Sequence, residues 1–286
     1  MTARRRRGPA TLVALVLAWG LSTGGAGAAD RYLLPEGDGE VLTLLLLGSD
    51  EGPPRGPDPL QGRADAFQIL FVSADRQHAT FVSVPRDAWV NVAGRGNGRI
   101  NGCLVGGAQR CVDTVEQEFG IEVDGYLVTS MQAFKHAVQA FGGVTVDVGT
   151  PVSDGGTAIT STGVQQLTGS QALTYGRDRK NRSGGDFARS QAQAELLAAA
   201  HAQVVERPNP DQVLRAASVL RQHTLTDLSG PQLAQLAFEA LRLPPDNVQR
   251  VLAEGDHASI GGAAVVRLRS SAYAVIQEAA DDARVG

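Results

Sequence analysis

Charged side chains stand repeatedly at the ends of apolar runs. The run "VLTLLLLGSD" (41–50) closes on Asp50, and Arg63 and Asp65 open the run "AFQILFVSA". In "SVPRDAWV" (83–90), Arg86 and Asp87 sit side by side between two Val-containing stretches. Further on, "GRDRK" carries Arg177 and Arg179, and "GDFARSQAQ" carries Arg189 and Gln193. An arginine presents a planar fork of N–H donors that matches phosphate oxygens. On an extended segment Arg177 and Arg179 would share one face, and on a helix so would Arg189 and Gln193. That helix begins just after "SGGD", where unpaired backbone N–H groups and the helix dipole favour an anion. The pattern fits phosphate recognition. The alternative is a solvated, salt-bridged loop, with Asp178 and Asp186 as neutralisers and Asp186 as a helix cap.

The aspartates suggest a hard cation. If the strands ending at Asp50 and beginning at Asp65 are neighbours, both carboxylates reach one point at the sheet edge. Such oxygen ligands suit Mg²⁺, above all when substrate phosphates complete its shell. Taken singly, each aspartate reads as a turn residue.

Other chemistries find no support. The five histidines (His78, His136, His201, His223 and His257) are scattered, which argues against zinc. There is no G-x-S-x-G elbow, phosphate loop or dinucleotide fingerprint. Formal net charge is −4, which excludes a general nucleic-acid surface and makes any basic feature a local cluster. Lys135 and Lys180 are the only lysines, so arginine abundance by itself carries no message.

These residues need elements to hold them. "VLTLLLLGSD" reads as a fully buried strand, "EGPPRGPDPLQG" (51–62) as a loop, and "AFQILFVSA", "ATFVSVP" and "AWVNVAG" as further strands. "GNGRINGC" reads as loop, and "AQRCVDTVEQEFG" as a helix stopped by Gly120. After the strand "DGYLVTS" comes "MQAFKHAVQAFGG", with Met131, Phe134, Val138 and Phe141 on one helical face. That stripe reads as packing on a sheet, with a lipid lining as the alternative. "VTVDVGTPV" alternates like a strand, "LTGSQALTYGRDRK" passes from a short helix to an extended segment, and "ARSQAQAELLAAAHAQVV" is a long Ala-rich helix. Two more helices follow Pro208, with Ser229 as a cap, then a last strand and helix. Interleaved strands and helices predict a three-layer α/β/α fold, a central mixed sheet flanked by helices.

The first residues read as a targeting segment. A basic start, an apolar stretch from about Ala10 to Leu21 and small residues at "AGAA" describe a signal peptide cut near Ala28 or Ala29, or a short anchor. Residues 30–286 then form one exported domain, with a helical C-terminal portion from about 187. Export agrees with the cysteines: Cys103 and Cys111 can pair in an oxidising compartment, the alternative being two free thiols.

In order, "LLLLGSD", "GRADAFQILFVS", "ATFVSVPRDAWVNV", "GRINGCLVGG", "FGGVTVDV", "LTGSQALTYGRDRK" and "GDFARSQAQ" together resemble the LytR–CpsA–Psr family. The resemblance implies an extracytoplasmic, Mg²⁺-dependent phosphotransferase, with Mn²⁺ as an alternative metal. It would move a glycan from a polyprenyl-diphosphate carrier to peptidoglycan as a phosphodiester at the outer face of the membrane, releasing polyprenyl phosphate. The fold implied holds the prenyl chain in an apolar groove. By motif, Asp50 and Asp65 look like the metal ligands. Arg63, Arg86, Arg177, Arg179, Arg189 and Gln193 look like the diphosphate cradle. Asp50 or Asp87 would assist deprotonation of the acceptor, unless Asp87 serves only to orient Arg86. Two departures stand out: Ala192 replaces a usual basic residue before the glutamine, and Ala66 replaces a usual hydroxyl. The rival readings are a polyprenyl-diphosphate hydrolase on the same site and a non-catalytic prenyl-lipid binder.

Overall fold

Leu42–Ser49 (β1) is apolar at nearly every position because it lies inside a sheet covered on both faces. A computed structural model describes residues 40–50, 62–154, 156–178, 181, 185–207 and 209–286. The targeting segment, most of the Pro/Gly loop and Arg179 lie outside the described residues. β1 pairs antiparallel with β2 (Ala64–Val72), which pairs antiparallel with β3 (Ala79–Ser83). Next come β4 (Trp89–Val92), β5 (Gly96–Arg99), a 3-10 segment (Ile100–Gly106) and helix α1 (Ala108–Phe119). On its other side β1 pairs in parallel with β6 (Gly125–Ser130).

The chain continues through α2 (Met131–Phe141), β7 (Val144–Val148), β8 (Val152–Asp154), β9 (Thr157–Ile159) and β10 (Gly163–Leu167). After these come α3 (Gly169–Arg177), α4 (Asp186–Glu206), α5 (Pro210–His223), β11 (Thr224–Thr226) and α6 (Gly230–Arg242). The last elements are β12 (Val248–Leu252), β13 (Gly255–Ile260), β14 (Ala263–Leu268) and α7 (Ser270–Asp282). The central sheet is six-stranded and mixed, in the order β11-β6-β1-β2-β3-β12.

Alternate residues of β1 serve opposite layers, as strand geometry requires. Leu45 and Leu47 join Phe67, Ile69 and Phe71 of β2 under Val112 and Val115 of α1 and Ile276 of α7. Leu42 and Leu44 pack on the other face with Leu233 and Leu236 of α6. A separate apolar cluster joins Val144, Val146 and Val148 of β7 to Tyr175 of α3 and to Ala192 and Leu196 of α4. Local signals set the helix ends. Gly120 takes a left-handed conformation (φ 65°) that stops α1, and Ser229 with Gln232 forms a capping box at the start of α6.

Several elements differ from the sequence reading. "GNGRINGC" is β5 and the 3-10 segment rather than loop. The portion after 187 is not simply helical, since β11 to β14 interleave with its helices. β11 and β12 are edge strands of three and five residues with no fully buried position, so they carry little hydrophobic periodicity. Their place comes from backbone pairing with β6 and β3.

Candidate functional site

The register of β1 and β2 slips at their ends. Gly48 lies opposite Ala66 and Ser49 opposite Ala64, so Asp65 is an extra residue in a β-bulge. A bulge re-aims a side chain and ends regular pairing, which is how a carboxylate comes to stand at the rim of a buried sheet. Gly48 is required here, because a Cβ on it would lie 2.8 Å from the Ala66 Cβ. Beyond the bulge, the Asp50 carboxylate accepts the Arg63 N–H at 2.6 Å, and the Asp50 N–H donates to the Arg63 carbonyl at 3.1 Å. Asp50, just past the end of β1, and Asp65, in the bulge of β2, thus stand at neighbouring strand ends.

Asp65 forms a short ion pair with Arg86, both side chains being largely buried. Arg86 sits in a turn closed by the Ala88 N–H on the Pro85 carbonyl at 2.9 Å, and its own carbonyl takes the Asn101 N–H at 3.1 Å. Asp87 Oδ2 lies 3.7 Å from Arg86 Nε, while Asp87 Oδ1 lies 3.4 Å from Arg99 Nε. Charges therefore alternate along Asp65, Arg86, Asp87 and Arg99. Arg99 was not among the residues singled out by type and spacing. Its only sequence signal was membership of the "GRING" stretch.

Helix α4 brings the second group. Arg189 is buried, 3% exposed, one turn into the helix. Gln193, one turn further, donates to the carbonyls of Asp65 (3.4 Å) and Gly176 (3.1 Å). The helix is seated on the sheet at this level by buried polar contacts. Gln68 Nε2 donates to the Ser190 carbonyl at 3.3 Å, and the Ser83 hydroxyl bonds Gln68 Oε1 at 2.8 Å. No apolar pattern announces that network, because it consists of polar residues inside strands.

Arg177 corrects one expectation. It is the last residue of α3 rather than part of an extended segment, so the two-residue alternation with Arg179 does not apply to it. It is exposed, and the neighbouring Gly176 carbonyl is the one Gln193 holds. Asp178 turns inward instead, 5% exposed, and its carboxylate accepts from Asn181. The N-cap of α4 is Gly185, not Asp186. Ala192 is fully buried beside Tyr175 and Leu196. It fills a core position, so a long basic side chain there would need rearrangement of that cluster.

A cavity of about 600 Å³ adjoins this cluster. Gly48, Ala66, Gln68, Gly176 and Gln193 line it next to the cluster; elsewhere it is walled by Met131 and Phe134 of α2, Leu196 and Leu197 of α4, Leu214 and Ala217 of α5, and Leu233 and Leu236 of α6. The α2 stripe divides its work: Met131 and Phe134 face the cavity, while Val138 and Phe141 are buried. Helix α5 contributes no fully buried residue, since its apolar side faces the cavity. The disulfide Cys103–Cys111 joins the 3-10 segment to α1, next to the residues that hold Arg86 and Asp87.

The model of the LytR_cpsA_psr family matches residues 30–282. The chain belongs to the LytR_cpsA_psr family. A relative from Oceanobacillus iheyensis, named polyisoprenyl-teichoic acid–peptidoglycan teichoic acid transferase TagU, is 30% identical over 232 residues, covering 78% of this chain and 70% of that protein. A protein of the same name from Halalkalibacterium halodurans is 35% identical over 162 residues, covering 56% of this chain and 52% of its own length. Among solved structures, TagV of B. subtilis superposes with a TM-score of 0.71 at 20% identity, covering 84% of this chain and 96% of that one. TagT bound to LI-WTA gives 0.69 at 24% identity, covering 89% and 94%. At these identities the superpositions establish the three-layer fold. Among the described residues no helix is long and apolar enough to cross a membrane.

Proposed function

We propose that this member of the family transfers a glycopolymer from a polyprenyl-diphosphate carrier to peptidoglycan, outside the cytoplasmic membrane. The observation that carries the reading is one continuous arrangement. An apolar cavity is lined by Gln193 and Gly48, beside the Asp65–Arg86 pair. A prenyl chain would gain by leaving water for such a cavity, at about 0.8 kcal/mol per buried CH₂. Its diphosphate would then lie beside the Asp65–Arg86 pair that adjoins the cavity, where the sugar-linked phosphate must also lie. The relatives whose names state this transfer support the same substrate class.

The chemistry follows from placement. An acceptor hydroxyl oxygen attacks the sugar-linked phosphorus, the bond to the bridging oxygen of the prenyl phosphate breaks, and the hydroxyl proton leaves to a carboxylate of the charged cluster. Asp50, the exposed carboxylate there, takes that role better than Asp87, which is held between two arginines. Arg86 and Arg189, with Arg63 and Arg177, neutralise charge that builds on the transferring and leaving phosphates; Arg179, outside the described residues, joins them by motif alone.

A divalent cation fits the donor set in one form. Among the described residues no group of three or more His, Cys, Asp or Glu side chains could hold a metal ion, so an all-protein cage is absent there. Mg²⁺ is commonly held by one or two carboxylates plus substrate phosphates, and Asp50 and Asp65 at adjacent strand ends supply that much. When bound, it would offset diphosphate charge.

The test uses the full chain with a prenyl-diphosphate-linked oligosaccharide, with and without a peptidoglycan-fragment acceptor and Mg²⁺. Acceptor-dependent appearance of a sugar phosphodiester together with prenyl monophosphate is the expected result. Equal release with and without acceptor would make the protein a hydrolase, and saturable lipid binding without turnover would make it a carrier.

A further inference from the structure

We propose that Arg99 is a positioning residue: acting through Asp87, it holds Arg86 in its working orientation and ties that orientation to the C-terminal β13–β14 hairpin. The inference rests on the transferase reading, in which Arg86 meets the diphosphate.

Arg99 reaches in two directions. Its Nε lies 3.4 Å from Asp87 Oδ1, and its Nε and Nη2 both donate to the Ala264 carbonyl of β14, at 3.0 and 2.7 Å. On the other side of the same carboxylate, Asp87 Oδ2 lies 3.7 Å from Arg86 Nε. Asp87 is thus shared between two guanidiniums, one aimed at the site and one at the hairpin. Arg99 meets Asp87 and the Ala264 carbonyl, and it bears on Arg86 through the carboxylate they share.

The backbone repeats the arrangement. The Val266 N–H of β14 donates to the Asp87 carbonyl at 2.9 Å, and Ala88 bridges to Val266. The residues just after Arg99 hold the same turn, with the Ile100 N–H on the Ala88 carbonyl at 2.8 Å and the Asn101 N–H on the Arg86 carbonyl at 3.1 Å. The hairpin also reaches the other half of the site. His257 of β13 packs on Phe187 in the first turn of α4, ring centroids 5.2 Å apart, and that helix carries Arg189 and Gln193. One hairpin therefore touches both arms of the charged cluster, and Arg99 is its ionic link to the Arg86 arm.

Removing Arg99 leaves Asp87 with Arg86 as its ionic neighbour and frees the carboxylate to draw Arg86 away from Asp65. A small misplacement of a phosphate-facing group costs rate more than binding, up to about 100-fold. A hairpin clamp without this role would lower stability and leave the split between kcat and KM untouched.

The experiment compares full-chain wild type with Arg99→Met, Arg99→Lys, Asp87→Asn and the Arg99→Met/Asp87→Asn double variant. The substrate is a prenyl-diphosphate disaccharide with a peptidoglycan-fragment acceptor. Arg99→Met is expected to lower kcat about 10- to 100-fold, with donor KM within about threefold of wild type. Arg99→Lys should recover most of that loss, because its ammonium still faces Asp87. The double variant should be no slower than Asp87→Asn alone, the sign of action through one carboxylate. A second readout does not need turnover: the ¹⁵N resonance of the Arg86 Nε–H, assigned by its absence in Arg86→Lys, should shift in Arg99→Met and return in Arg99→Lys. Multiplicative losses in the double variant, an effect on KM alone, or an unmoved Arg86 resonance would each overturn the proposal. If wild type transfers nothing to any acceptor, the functional reading fails by itself, and the Arg86 resonance still decides whether Arg99 positions Arg86.

Discussion

Gln193 donates its side-chain amide to the Asp65 carbonyl, 3.4 Å away, and so ties helix α4 to the bulged end of β2. The same amide holds Gly176 at the end of α3 by a bond of 3.1 Å. Elements far apart in sequence meet at one partly buried nitrogen. Gln193→Met keeps the length and loses both donations. Each lost bond should cost about 1 kcal/mol, so thermal unfolding is expected a few degrees lower. Transfer should fall more steeply than stability, by about tenfold, because Asp65 and Arg86 lose a fixed reference; parallel melting and transfer assays on the purified variant check both.

The Asp65–Arg86 pair sets a second expectation. Arg86→Lys retains the charge and loses the planar fork, so it should bind donor but turn over roughly 100-fold more slowly, as loss of a transition-state donor does. Asp65→Asn should be damaging for a different reason, since it leaves the Arg86 guanidinium without its short partner. If Arg86→Lys transfers at the wild-type rate, Arg86 is not part of the cradle.

How far the sequence revealed this site depends on which interaction fixes each residue. Asp50 and Asp65 were legible because strand ends show in the apolar pattern, and the strands prove to be neighbours. The bulge that singles out Asp65 was not, because register is decided by pairing between strands and leaves no local mark. Gly120 and Ser229 worked as stop and cap because their effect is local backbone chemistry. Arg99 was missed for the opposite reason: "GNGRINGC" lacks an apolar period, and its structure comes from pairing with β4 and contacts to β14. Arg177 was assigned to an extended face although the capping box of Thr168 and Gln171 launches a helix that reaches it.

The cavity makes a prediction about chain length. Ala217 faces it from α5, a helix with no fully buried residue, so a larger side chain there meets space before it meets core. Ala217→Phe should leave the melting temperature nearly unchanged. It should displace a few methylenes of a long prenyl chain, at roughly 2–3 kcal/mol, or about 50-fold weaker binding. A donor with a short prenyl chain should be unaffected. Equal loss for both donors, measured as KM, would remove the cavity from the lipid path.

The disulfide predicts a coupling between stability and the site. Cys103 and Cys111 are eight residues apart, and closing so short a loop stabilises by about 2–3 kcal/mol in the chain-entropy description. A Cys103→Ser/Cys111→Ser variant should melt several degrees lower. Reduction of wild type should reproduce the shift, and the double variant should no longer respond to reductant. Because Cys103 shares its 3-10 segment with Ile100 and Asn101, which hold the Arg86 turn, turnover below the melting range should fall as well.

Asp124 gives a pH dependence whose sign can be stated. Burial pushes its carboxyl above the ordinary value of 3.8, although its Oδ2 accepts the Thr43 N–H of β1 at 2.7 Å, which acts in the opposite direction, and nearby Glu122 adds to the rise. A carboxyl raised on folding binds its proton more tightly in the folded chain. Its contribution is therefore most favourable below the ordinary value and declines as pH rises through the raised one. Asp124→Asn keeps an acceptor for the Thr43 N–H and removes the charge that burial disfavours. The variant should match wild type in acid and become the more stable of the two towards neutrality. Urea unfolding at a series of pH values measures the difference. A gap that stays constant would mean that the Thr43 hydrogen bond to the ionised carboxylate cancels the effect of burial, and one that opens on the acid side that it outweighs it.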